Sequence, residues 1–389
     1  MSKIKLVEDT INKQDIAELV EWLTSGDEVP RLTKGPLTTK LEEKWSNWLG
    51  PEHTVFCNSG SSANLLMLWA LVEANRVSKD CKVVVPAISW ATDLSPVIQL
   101  GMTPILCDCN LDDLSIDLDH FNKIAKEEKP DVLILVSVLG LVPRMDKIIE
   151  ICNNHNIILL EDTCESMGSK FQGKKLGNFG LMSSFSTYFG HHISTIEGGF
   201  VSTNDEEIYE VLKCIRSHGW TRDSSEKFTK EKKNKWNTSD FDLLYKFYYS
   251  GFNLRSTDLQ AFIGLGQIDK LDHICNKRSE NFLKYNLELN ELPPILIADD
   301  RDFISNFAYP LISDKREKII NNLQEKDIEV RPLICGSMGH QPFYVERYGR
   351  KSMKNADLIN RKGLYVPNHQ KLSNADIMKV INTIKESLI

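Results

Sequence analysis

Three stretches of the chain carry side chains that could do chemistry. The first is Asn58-Ser59-Gly60-Ser61-Ser62-Ala63-Asn64, followed by an apolar helical pattern. A small-residue turn entering a helix offers free backbone N–H groups and hydroxyls at the positive helix end, which suits a phosphate and equally suits a simple helix cap. The second is Leu159-Leu160-Glu161-Asp162-Thr163-Cys164-Glu165-Ser166, an apolar run leading straight into acids. In open α/β sheets ligands bind beyond the carboxyl ends of the strands, so an acid there can hold a protonated ring nitrogen or cap the next helix. The third runs from Ser183 to Gly199 and sets hydroxyls, the adjacent imidazoles His191 and His192, and the pair Gly198-Gly199 after another apolar run. Histidine relays protons near neutral pH, so one of the pair could be a general base; a turn with two structural histidines is the plainer reading of such a pair alone.

The elements that would position these stretches alternate over the first two-thirds of the chain. Ile16, Leu19, Val20 and Leu23 recur at helical spacing, as do Leu65, Leu68, Trp69 and Val72. Short apolar runs lie between them at Val83 to Pro86, Val132 to Val138, Ile157 to Leu160 and Met182 to Phe185. Runs that are continuously apolar rather than alternating predict strands buried on both faces, as in a parallel sheet covered by helices. The fold class expected is therefore α/β. Arg222 to Asp240 is charge-dense and poor in apolar anchors, and reads as an exposed or mobile excursion rather than a basic recognition patch. Beyond about residue 260 come Phe307 to Ile312 and a helical face of Ile377, Val380, Ile381 and Ile384. A large domain over 1–260 and a smaller one over 261–389 is the expected division.

Composition narrows the function classes. The 389 residues include 47 Lys+Arg against 54 Asp+Glu, a net charge of −7, with 41% hydrophobic residues. That is an ordinary globular balance with no basic footprint for nucleic acid. The longest charge-free apolar run, Val132 to Val142, is shorter than the ~20 residues that span a bilayer. Nine cysteines, an odd number scattered through apolar segments, fit small buried hydrophobes in a reducing cytoplasm, and Cys107-x-Cys109 has no neighbours to complete a metal spacing. The turn at Gly60 lacks the G-x-G-x-x-G spacing of a dinucleotide site.

Taken together and in this order, the three stretches resemble the fold-type-I pyridoxal-phosphate enzymes that act on nucleotide-linked sugars, the sugar aminotransferases and dehydratases. The likeness runs from Gly35-Pro36 to Arg331-Pro332. It implies an aspartate aminotransferase-like fold with a large, mostly parallel sheet domain and a smaller C-terminal α+β domain. One departure redirects the function. His191, six residues before Glu197, stands where the aminotransferases carry the lysine that bonds to the cofactor, and no lysine occurs between Lys175 and Lys213. The surrounding text, FSTYFGHHISTIEGG, resembles the 3-dehydratases that make 3,6-dideoxy sugars. Relatives acting on CDP-sugars add cysteines for an iron-sulphur cluster and use a reductase; that spacing is absent, which favours the GDP-sugar type and no such reductase.

The resemblance implies pyridoxal 5'-phosphate and pyridoxamine 5'-phosphate as cofactor forms, and roles for named residues. Asp162 would face the ring nitrogen, Trp90 the ring face and Glu165 the phenolic side, while Gly60, Ser61 and Ser186 would bind the phosphate. Asn253 would reach the phosphate of a neighbouring subunit, implying a homodimer with sites at the interface. His218 and Arg331 would lie on the substrate side, and His191 would be the proton-transfer residue. The implied reaction removes the C3 hydroxyl of a nucleotide-linked 4-keto-6-deoxy sugar, with GDP-linked 4-keto-6-deoxymannose expected and L-glutamate restoring the amine form. An aminotransferase-like enzyme, a dehydratase for another nucleotide sugar and a non-enzymatic relative of the same fold remain alternatives.

Overall fold

The structure, a computed structural model, describes residues 3–293 and 303–389. Nine short strands come first: β1 (His53–Cys57), β2 (Lys82–Pro86), β3 (Thr103–Cys107), β4 (Val132–Val136), β5 (Ile158–Asp162), the small hairpin β6 (Lys170–Phe171) and β7 (Lys174–Lys175), β8 (Met182–Ser186) and β9 (Gly199–Thr203). Seven of them form one sheet in the order β1-β9-β8-β5-β4-β2-β3. The pairs β8–β5, β5–β4, β4–β2 and β2–β3 are parallel, and β9 runs against both its neighbours.

Both faces of this sheet are covered, which is why its central strands read as unbroken apolar runs. From β4, Leu133 and Leu135 join the layer built by Phe121, Ile124, Ile148 and Cys152 of helices Leu118–Glu128 and Met145–His155. Val132, Ile134 and Val136 face the opposite layer, which contains helix Gly60–Glu73. That helix is buried almost all round, Leu66 to Leu71 without interruption, whereas Leu65 and Val72 of the expected apolar stripe are only half-buried. Sandwiched between the sheet and helix Glu206–Arg216, it has little room for a polar face.

One expectation is met with a qualification and one needs correction. Helix Lys13–Thr24 forms as patterned, with Trp22 stacked on Phe262 at 4.8 Å, but none of its residues is fully buried and Ile16 and Val20 are open in the single chain. The stretch after Arg222 is exposed, as read, but contains a helix, Glu226–Lys235, capped by the Ser225 side chain. Lysine and glutamate favour helix without needing a core to lean on.

The 31-residue helix Asp258–Glu288 packs on helix Pro36–Leu49 and on the terminal helix Asn374–Leu388. The division expected at 260 and 261 falls in its first turn. Beyond it a three-stranded antiparallel sheet of β10 (Tyr309–Ile312), β11 (Arg331–Pro332) and β12 (Gly363–Val366) has the order β10-β12-β11. Ile377, Val380, Ile381 and Ile384 are buried, as their spacing predicts. One apolar cluster runs from Val55 and Leu66 of the large part to Leu311 and Ile381 of the small part. Among the described residues no helix is long and apolar enough to cross a membrane.

Candidate active site

The carboxyl ends of β1, β2, β4, β5 and β8 converge on one cavity of about 560 Å³. Gly60, Ser61, Trp90, Asp162, Glu165, Ser186, His191 and Arg331 all line it, so the sheet gathers residues more than a hundred positions apart. His218 and Asn253 lie outside it. A backbone bridge joins Ser217 to Asn253, and the His218 ring rests 5.1 Å from that of Trp220.

Where β1 ends, the Ser59 hydroxyl caps helix Gly60–Glu73 by accepting from Ser62 N at 3.1 Å. Ser186, at the end of β8, stands so close that a Cβ on Gly60 would meet the Ser186 Cβ at 2.6 Å and its Oγ at 3.1 Å. Only glycine permits this approach. It brings a helix N-terminus and a hydroxyl together, which makes an anion seat.

Asp162 ends β5. Its Oδ2 accepts from Asn64 Nδ2 at 2.6 Å and its Oδ1 from Cys164 N at 2.9 Å. Both donors are neutral, and among the described residues no lysine or arginine pairs with it. Sequence reasoning passed over Asn64 and Asp93. The same Asn64 amide donates to Asp93 Oδ1 at 3.1 Å and accepts from Ser184 Oγ at 2.5 Å. Asp93 is fully buried; burial, then the charge of Asp162, pushes it well above the usual carboxylate range. Asn64 was within the turn already noted, but an acid three residues after Trp90 looks like any acid in a first helical turn.

Glu165 is raised to about 7 by burial, against the lowering effect of Leu139 N, which donates to its Oε2 at 2.7 Å. Leu139 takes a left-handed φ of 53° to present that N–H, a conformation that costs a leucine energy. Trp90 is 55% exposed at the mouth. Arg331 leaves most of its guanidinium free, with Nη1 donating to Val330 O at 3.0 Å.

The two imidazoles separate cleanly. His192 is fully buried, with Nε2 at 2.9 Å from Ser305 Oγ, and does not line the cavity. His191 does, and burial holds it down to about 4, with Asp162 pulling the other way. Its Nδ1 is buried without a hydrogen-bond partner. No lysine lines the cavity among the described residues.

These groups fit a B6 phosphate. The helix end with Ser186 suits the phosphate, Asp162 with only neutral donors suits a protonated ring nitrogen, and Trp90 offers a flat face.

Known proteins resemble this chain over most of its length. GDP-4-keto-6-deoxy-D-mannose 3-dehydratase of Escherichia coli O55:H7 is 34% identical over 352 residues, 87% of this chain and 89% of that one. The structure of the E. coli GDP-4-keto-6-deoxy-D-mannose 3-dehydratase with bound hydrated PLP superposes with a TM-score of 0.88 and 31% identity, covering 99% of this chain and all of that one. A GDP-4-keto-6-deoxymannose 3-dehydratase structure with a trapped PLP-glutamate geminal diamine has the same TM-score and identity, covering 98% and 100%. The model of the DegT/DnrJ/EryC1/StrS aminotransferase family matches residues 9–385, and the chain belongs to that family.

Proposed function

We infer that the protein is a pyridoxal-phosphate-dependent 3-dehydratase that removes the C3 hydroxyl of a nucleotide-linked 4-keto-6-deoxy sugar, GDP-4-keto-6-deoxy-D-mannose, with L-glutamate as the amino donor. One observation carries the reading: the cavity presents the imidazole of His191 and no lysine. The relatives of known activity point the same way. Pyridoxamine phosphate, when bound, would supply an amine for the keto group and a ring able to take up an electron pair.

The chain's own residues do the rest. Gly60, Ser61 and Ser186 would hold the phosphate, Trp90 would offer its flat face to the ring, and Asp162 would keep the ring nitrogen protonated. His191 lines the cavity, so its imidazole is the group that meets the substrate. It takes a proton from the carbon bearing the amine and returns one to the departing C3 oxygen, so one imidazole serves as base and then acid. Glu165 sits at the phenolic side. The free guanidinium of Arg331 binds a carboxylate or phosphate of the substrate. With no lysine lining the cavity among the described residues, the aldehyde form of the cofactor would stay open to glutamate.

His218 and Asn253 serve the cavity of a second copy, in a homodimer with sites at the interface. Nine cysteines, scattered and mostly buried, suit a reducing cytoplasm.

The test is product analysis with GDP-4-keto-6-deoxymannose, L-glutamate and cofactor, beside CDP- and dTDP-linked counterparts. A 3-deoxy-4-keto sugar with 2-oxoglutarate is expected, best with the GDP substrate. A 4-amino sugar as the main product would make the enzyme an aminotransferase.

A further inference from the structure

Two buried carboxyl groups, not one, stand at the floor of the cavity. Asp93 arrives from a different element than Asp162: it lies in the first turn of helix Ala91–Gln99, where Trp90 N donates to its Oδ2 at 3.0 Å. Asn64 joins the two, with Nδ2 at 3.1 Å from Asp93 Oδ1 and 2.6 Å from Asp162 Oδ2. Ser184 Oγ donates to the Asn64 oxygen, which fixes the amide so that its hydrogens face the acids. The titratable groups that act on Asp93 are Asp162, Cys164 and Glu165 from the end of β5 and Cys335 from the small part, while His191 and Arg331 line the same cavity without pairing with it. Two acids this close in a dry site do not both ionise. Asp93 is the more deeply buried of the two, 0% exposed against 7% for Asp162, and this burial with the charge of Asp162 pushes it up, so Asp93 is the one that keeps its proton.

We propose that Asp93, clasped with Asp162 by Asn64, is a positioning residue that stays neutral, donates to Asp162 and aims that carboxylate at the protonated nitrogen of the bound ring. The inference rests on the cofactor reading above and adds a second acid to it. An amide donates as a neutral carboxylic acid does, but its nitrogen cannot accept, and both Asp93 oxygens accept an N–H, one from Asn64 and one from Trp90. Asp93→Asn therefore keeps a donor for Asp162 at the loss of one of these two bonds, whereas Asp93→Ala removes the donor and lets Asp162 turn.

The experiment measures the affinity of the full-length protein and both variants for pyridoxal phosphate and for its analogue with C–H in place of the ring nitrogen. Infrared spectra of the same proteins report protonated carboxyl groups. The wild type should prefer the nitrogen-bearing form. Asp93→Asn should keep that preference within about threefold, and Asp93→Ala should lose about tenfold of it. One protonated-carboxyl band should be missing from Asp93→Asn at neutral pH. An unchanged set of bands would mean that Asp93 is ionised and would overturn the proposal. So would an Asp93→Ala variant that weakens both ligands alike with the preference intact, because Asp93 would then be only a helix cap. If the wild type makes no distinction while the band behaves as expected, it is the Asp162 reading that fails, and the inference with it.

Discussion

Burial holds the His191 imidazole down to about 4, so it is neutral and able to accept a proton across the usual working range. The acid limb of kcat/KM should accordingly lie well below the 6.5 of a free histidine; half-loss of kcat/KM near 6.5 would show that the reacting base is another group. His191→Gln should lower turnover by about 10²–10⁴-fold, the range that general acid–base catalysis supplies. His191→Lys should lose dehydration and hold the cofactor covalently, read as cofactor retained through borohydride reduction and denaturation. Stability carries the same signature. His191 and His369 are both depressed from 6.5 to about 4, chiefly by burial. The unfolded chain takes up their protons first, so their contribution is complete above about 6.5 and drains away as pH falls towards 4. Glu165, raised to about 7, acts in the opposite sense, favouring the fold at low pH and losing that contribution as pH rises through 7. His369 lies outside the cavity. His369→Gln should flatten the fall in stability between neutral pH and pH 5 by on the order of 2 kcal/mol, measured by urea unfolding at the two pH values.

Single side chains also hold whole elements in register. The Asp258 carboxylate, at the start of helix Asp258–Glu288, accepts from Gly35 N at 2.8 Å, Leu37 N at 3.2 Å, and Thr38 N and Oγ1 at 2.9 and 2.7 Å. Gly35 has no side-chain cap of its own to offer helix Pro36–Leu49, so an acid from a distant helix satisfies the first-turn donors and complements the positive end. Asp258→Ala should cost about 2–4 kcal/mol, because buried N–H groups lose their acceptor; a change under about 0.5 kcal/mol in urea unfolding would show that water replaces it. Connections of this kind were not legible in the sequence, since nothing local marks Asp258 as the cap of a helix 220 residues earlier. Asn64 and Asp93 escaped notice for the same reason: each is an unremarkable polar residue until the fold brings it to Asp162. The strands were legible, because a sheet covered on both faces imprints unbroken apolar runs such as Val132 to Val136. Helix Lys13–Thr24 showed the converse, an apolar pattern of which Trp22 finds a partner in Phe262 while Ile16 and Val20 stay open. The cavity residues were read less from pattern than from resemblance, since a serine turn, an acid and a histidine pair each have plainer uses alone.

At the scale of the whole molecule, the unpaired apolar surface and the two displaced residues point the same way. Phe241 is 82% exposed and Tyr245 73%, with Leu244 and Phe247 also open on the segment that leads towards Asn253. Isolated exposed hydrophobics need no explanation, but a run of them beside the Ser217–Asn253 bridge is surface that a second copy would cover. Replacing Phe241 and Tyr245 by glutamate should shift the protein towards monomer in sedimentation and reduce activity with it. Complementation asks the sharper question of which subunit's Asn253 completes a site. His191→Gln and Asn253→Ala homodimers should each be nearly inactive. If Asn253 serves the partner's cavity, a heterodimer of the two variants pairs both defects in one site and leaves the other intact. Equal mixing with free exchange makes about half of the dimers mixed and restores half of their sites, so about a quarter of wild-type turnover should return. If Asn253 instead served its own cavity, every site in the mixture would carry one defect and mixing would recover nothing.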